Sequence, residues 1–79
     1  MKPLSSKEHE ILKLIALGYE DKDIGIKLKI AYGTVRNHVN KIVLKLQARN
    51  RTNAVVLYSL KNPDFLNEIK CIYSHNALF

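Results

Sequence analysis

Between residues 34 and 45 the chain reads TVRNHVNKIVLK, a stretch without an acid in which Arg36, Asn37 and Asn40 are interleaved with valines and an isoleucine. Guanidinium and carboxamide groups set in a row on one helix face have a definite chemical use. Arginine pairs bidentately with guanine, and asparagine with adenine, in the major groove of DNA. Hydroxyl, imidazole and ammonium groups such as those of Thr34, His38, Lys41 and Lys45 reach phosphates. Catalysis is not suggested. His9, His38 and His75 are isolated from one another along the chain, and no Gly-rich phosphate cradle, nucleophile motif or metal-ligand spacing occurs. The chain is therefore expected to have no catalytic residues, metal site or cofactor.

Charge distribution points the same way. The chain carries a formal net charge of +6, and residues 24–63 hold no Asp or Glu against eight Lys and Arg: Lys27, Lys29, Arg36, Lys41, Lys45, Arg49, Arg51 and Lys61. All seven acids fall in the remainder, with five lysines. A cation concentrated in the middle of the sequence suits a polyanion, because each charge set near a phosphate releases condensed counterions. Charge alone would also suit an acidic protein surface or a merely solvated basic face.

At 79 residues the chain has room for one small domain with a single core. A hydrophobic content of 47% with 25% charged residues is that of a folded chain. The single cysteine, Cys71, excludes an internal disulfide. No run of about 18 apolar residues occurs and the start MKPLSSKEHE is not a signal peptide, so a cytoplasmic protein without membrane contact is expected.

The elements that must position these groups are all helical. Ser5 and Glu8 have the spacing of a capping box and open a helix over residues 6–17, with Ile11, Leu12 and Ile15 at helical spacing and Gly18 as its stop. A short helix over residues 21–28 places Ile24 and Leu28 on one side, and at barely two turns it must be held by packing. A third, over residues 32–47, gathers Val35, Val39, Ile42 and Leu46 into its core stripe. Asn50 is positioned to cap a fourth over residues 51–61. There Ala54, Val55 and Tyr58 share one side while Val56 and Leu60 point elsewhere, which calls for a second apolar partner such as the same helix of another copy. Asn62 can cap a fifth helix that begins at Pro63 and carries an apolar face of Phe65, Leu66, Ile69, Ile72 and Tyr73. Residues 74–79 carry no usable pattern.

With the valine stripe turned inward, a step of about 100° per residue sends Gly33, Arg36, Asn37, Asn40 and Leu44 outward and gathers Thr34, His38, Lys41 and Lys45 on one flank. Leu44 is apolar and points away from the core. A fifth helix folding back could cover it, or it could lie at an interface.

TVRNHV at residues 34–39, followed by Lys45-Leu46 and then by Arg51 with Ala54-Val55, resembles the LuxR-type (NarL/FixJ) helix-turn-helix domain, as do Leu4-Ser5, Lys7-Glu8, Ile11-Leu12 and Lys22-Asp23-Ile24 ahead of it. The resemblance covers residues 4–60. It implies an all-α, four-helix helix-turn-helix domain over residues 1–62. Its third helix would enter the major groove of double-stranded DNA, and its fourth would pair two copies in a homodimer through Val56 and Leu60. Residues 63–79 would add a C-terminal helix and tail to the same globule. The implied base-reading residues are Arg36, Asn37 and Asn40, and the implied backbone contacts are Thr34, His38 and Lys45, joined by Lys41 from its place on the flank. For Arg51 two roles stand open, a bridge to a carboxylate of the first helix such as Glu8 and a direct phosphate contact, and the bridge is expected.

Two positions depart from the family pattern. Glu20 and Ala31 stand where Ser or Thr usually caps a helix, at a cost of about 1 kcal/mol each. Asp21 could take over the first cap by shifting the start of that helix. No receiver or ligand-sensing segment is recognisable, so the chain reads as a stand-alone regulator or as an excised fragment. The rival readings are a protein-interaction module of the same fold that pairs with another regulator or RNA polymerase, and a promoter-recognition domain similar to region 4 of sigma factors.

Overall fold

Ser5 and Glu8 begin the first helix by satisfying each other. The Glu8 N–H donates to Ser5 Oγ at 3.1 Å, and the Ser5 N–H donates to Glu8 Oε1 at 2.9 Å. In the computed structural model, which describes residues 2–75, five helices follow: α1 (Ser6–Ala16), α2 (Asp21–Leu28), α3 (Tyr32–Lys45), α4 (Arg51–Lys61) and α5 (Pro63–His75). No strand occurs among the described residues. Met1, residues 76–79 of the expected tail and the side chain of His75 lie outside them.

Each of the first three helices ends on a residue with left-handed backbone nearby. Gly18 has φ 95°, and the Tyr19 N–H closes back on the Leu14 carbonyl at 3.1 Å. Lys29 (φ 58°) and Gln47 (φ 54°) do the same work after α2 and α3 without being glycine. Gln47 cannot continue a right-handed helix from that conformation, so α3 stops at Lys45 rather than at residue 47. Likewise α1 stops at Ala16, one residue before the expected end.

The apolar positions meet as the sequence pattern requires. Ile11, Leu12 and Leu14 of α1, Ile24 of α2, Val35, Val39 and Ile42 of α3, Leu46 just beyond it, Ala54 of α4 and Phe65 of α5 form one buried cluster. α1 lies at its centre and packs against all four other helices. α5 packs on α1 and α4 and touches neither α2 nor α3. It therefore belongs to the same core but lies away from α2 and α3, and Leu44 stays 76% exposed.

α5 is anchored by a ring cluster. Phe65 meets Tyr58 and His9 edge-to-face, with centroids 4.8 and 5.3 Å away. His9 Nδ1 lies 3.0 Å from the Tyr58 hydroxyl, and its Nε2 lies 2.9 Å from Glu68 Oε2. Burial, with the Glu68 charge adding to it, raises the Tyr58 hydroxyl above its ordinary pKa. His9, isolated in the sequence, thus joins α1 to α4 and α5. Farther along, the Tyr73 hydroxyl donates to the Ala16 carbonyl at 3.1 Å.

Two sequence expectations about caps are corrected. Asp21 does not cap α2: Glu20 occupies the cap position without a side-chain bond, because the Asp21 carboxylate is engaged elsewhere. Asn62 does not turn its side chain to α5 either. Its amide donates back to the Tyr58 carbonyl at 2.9 Å, closing the end of α4, while its main-chain carbonyl accepts from Phe65 at 3.0 Å. At Ala31 and Asn50 expectation and structure agree, the former making no side-chain cap bond and the latter accepting from the Asn53 N–H at 2.8 Å.

Candidate nucleic-acid interface

The pose of α3 begins in the turn before it. After Leu28 the chain reverses through Lys29, and the Ile30 N–H donates to the Gly25 carbonyl at 3.0 Å. A Cβ on Gly25 would stand 2.9 Å from the Ile30 carbonyl oxygen, closer than packed atoms allow, so the glycine lets the turn lie directly on the backbone of α2. With Ile24 and Val35 both fully buried across this corner, α2, turn and α3 form a packed helix-turn-helix.

On α3 the burial pattern separates two faces. Val35, Val39 and Ile42 are buried, and Arg36, Asn37 and Asn40 are exposed, with Gly33 beside them. Thr34 and Lys41 on the flank are also exposed, while His38 is half-buried with its Nδ1 enclosed and unpartnered. Below Asn40 a shallow groove lined by Val43, Leu44 and Arg49 leads toward the start of α4.

Lys45 is placed differently from the other flank residues. Its ammonium lies 2.7 Å from Glu8 Oε1, the same oxygen that closes the capping box. Burial by itself would raise the Glu8 carboxyl. The hydrogen bonds from Lys45 and Ser5 and the Lys45 charge outweigh it, and the pKa falls below its ordinary value of 4.5.

Because Lys45 occupies Glu8, Arg51 finds another partner. It pairs with Asp21 of α2, Nη1 with Oδ1 and Nη2 with Oδ2, the latter at 3.0 Å, and not with a carboxylate of α1. The hydrogen bonds and charge of Arg51, with a smaller contribution from Arg36, hold the Asp21 carboxyl below its ordinary 3.8 despite burial. The pair ties the start of α4 to the start of α2 and so braces the motif from outside.

One residue on the open side of α3 was not singled out from the sequence. Tyr32 opens α3, is 52% exposed and accepts a hydrogen bond from Arg36 Nη1 at 3.2 Å. The guanidinium carbon lies 5.9 Å from the centre of the tyrosine ring. The signal was available as a Tyr/Arg pair at i, i+4. The Asp21–Arg51 pair had no such local signal, its members being far apart along the chain.

A helix seated on a second helix through a tight turn, with cations and carboxamides along its open face, is the helix-turn-helix architecture. The model of the bacterial regulatory proteins, luxR family, matches residues 2–58, and the chain belongs to that family. It is a family of regulators, not of enzymes. The chain is 52% identical over 52 residues to the uncharacterized transcriptional regulatory protein YvfU of Bacillus subtilis, a match covering 66% of this chain and 26% of YvfU. It is 43% identical over 53 residues to the transcriptional regulatory protein DesR of the same organism, covering 67% and 27% of the two chains. The chain thus corresponds to about a quarter of the length of these relatives. The solved structure of the transcription factor GerE superposes with a TM-score of 0.69 at 38% identity, over 73% of this chain and 87% of that one.

Among the described residues no group of His, Cys, Asp and Glu could hold a metal ion. None of the described helices is long and apolar enough to cross a membrane.

Proposed function

We propose that this chain is a sequence-specific double-stranded DNA-binding domain of a transcriptional regulator, acting in the cytoplasm. α3 lies in the major groove, with Arg36, Asn37 and Asn40 against base edges. The observation that carries this reading is the pairing of a buried Val35–Val39–Ile42 stripe with an exposed Arg36–Asn37–Asn40 row on one helix. A reader must be held rigidly from behind and open in front. The transcriptional regulators among its relatives support the same reading.

Thr34, Lys41 and the open side of His38 face the phosphates. Lys45 contributes less to long-range attraction than its charge suggests, because Glu8 neutralises it. Val56 and Leu60 on α4, 49% and 75% exposed, remain uncovered by α5 and form the proposed contact with a second copy. A two-fold pair would present two copies of α3 to a symmetric site.

Selection from a randomised duplex library, followed by titration of the enriched and a scrambled duplex at several salt concentrations, tests the reading. An enriched two-fold symmetric site is expected. Arg36→Ala and Asn40→Ala should each lose roughly 1–3 kcal/mol of discrimination at one base pair per half-site. Lys41→Ala should weaken all duplexes alike and reduce the salt slope by about 0.9. If nothing is enriched and both duplexes bind alike, the DNA-reading role fails and the chain is a protein-interaction module. Leu60→Glu should abolish the dimer in sedimentation analysis; an unchanged dimer would move the interface away from α4.

A further inference from the structure

We infer that Tyr32 is a specificity-determining residue that acts through Arg36: its hydroxyl and ring hold the guanidinium at the N-terminal end of α3 in position to read one base pair. The inference rests on the proposed DNA-reading role of α3 and adds a residue that the resemblance does not supply.

The geometry favours positioning over a passive neighbour. In an α-helix long side chains lean back toward the N-terminus, so a residue four places earlier is the natural support for Arg36. Tyr32 supplies two contacts of different kinds there, an oxygen accepting from Nη1 at 3.2 Å and a ring centre 5.9 Å from the guanidinium carbon. Both are compatible with base reading. One N–H of the five on the guanidinium is used, which leaves a pair of parallel donors for guanine.

The charge of Arg36 also remains available, since no carboxylate of the described residues lies within ion-pair distance of it. Nearby, the Asp21–Arg51 pair fixes the start of α2, and the field of Arg36 contributes to holding Asp21 ionised. The tyrosine therefore stands in a braced corner.

A long flexible side chain loses rotamer freedom when it docks, and a contact already made in the free protein lowers that loss. The benefit falls only where the prepositioned guanidinium finds its correct base. An effect of this kind changes discrimination at one position and leaves general affinity nearly alone. Tyr32 carries no charge, so the salt dependence is unaffected.

The test compares wild type, Tyr32→Phe, Arg36→Ala and the double variant. Each is titrated against the duplex enriched from the random library and against a panel with every base pair changed singly. Tyr32→Phe keeps the ring and removes only the acceptor. It is expected to lower discrimination about two- to tenfold at the base pair where Arg36→Ala abolishes it. Discrimination elsewhere, the salt slope and the melting temperature should be unchanged, and the phenylalanine should have no further effect once Arg36 is alanine.

Full discrimination in Tyr32→Phe, with Arg36→Ala defective, overturns the positioning role and leaves α3 as the reader. Weakening of all duplexes alike that persists in the Arg36→Ala background makes Tyr32 a direct backbone contact, which also overturns it. If Arg36→Ala itself discriminates normally, or if no duplex is enriched, the reading of α3 fails and the Tyr32 role falls with it.

Discussion

Replacing Phe65 by alanine is expected to remove a large share of the stability of the whole domain while leaving its DNA preference intact. Phe65 is fully buried, the largest such side chain in the core, and comes from α5, beyond the segment that matches the family model. Phe→Ala at a buried site costs about 3–5 kcal/mol when the cavity does not collapse. Collapse is hindered here because the ring is flanked edge-to-face by Tyr58 and His9, which are themselves joined across α1 and α4. Each lost edge contact is worth about 0.5–1.5 kcal/mol and lies within that range. Domains of this kind are stable by roughly 5–15 kcal/mol in total. The loss should lower the melting temperature by at least about 12 °C, taking about 4 °C per kcal/mol as the lower limit for this size. Urea denaturation followed by far-UV circular dichroism measures it, with Leu66→Ala, whose side chain is 37% exposed, as the comparison within α5. Because α5 touches neither α2 nor α3, site discrimination measured well below the midpoint should match wild type. A loss below about 1 kcal/mol would refute the claim that α5 completes the core. So would a two-step transition in which α5 melts first and the remaining helices keep their wild-type midpoint.

Arg51→Ala should cost about 1–2 kcal/mol in denaturant titration, a figure reduced from that of a fully buried pair because the Arg51 side chain is 38% exposed. A cycle with Asp21→Asn should show that the two changes are strongly non-additive, and equal stability of Arg51→Ala and wild type would exclude the brace. Acid should destabilise the fold through Glu8 and Asp21, both of whose carboxyls are held below their ordinary values of 4.5 and 3.8. Below those values the unfolded chain binds more protons than the folded one, so stability present at neutral pH declines as pH falls through the ordinary values and is lost once it passes the depressed ones. Glu8→Gln and Asp21→Asn should each flatten the melting temperature against pH in this acid range, and an unchanged profile in both would dismiss the linkage.

The local rules carried most of the fold. The Ser5–Glu8 capping box, the stop at Gly18, the Asn50 cap and the i, i+3/i+4 apolar stripes depend on residues within a few positions of one another, so they mark where the helices lie, while α2, short and without a side-chain cap, is held by packing. The same periodicity divided α3 into a buried valine stripe and an open Arg36–Asn37–Asn40 row, which made the candidate reading face legible. Where a local rule missed, as with helix ends at Lys45 and Ala16, the turn geometry decided within one or two residues.

Partner choice was a different matter. Glu8, Asp21, Lys45 and Arg51 offer more than one pairing, and the expected one joined Arg51 to a carboxylate of α1 such as Glu8. Packing of α1 against α3 instead brought Lys45 onto Glu8, which left Arg51 to Asp21 and the α2 cap to a residue that makes no side-chain cap bond. The His9–Tyr58–Glu68 contacts and the burial of Phe65 likewise required α5 to fold back on α1 and α4. The positions of the helices follow from patterns among near neighbours, which the sequence displays in order. Ion pairs and ring contacts between distant residues depend on where several helices come to lie at once, and only the assembled core selects among them.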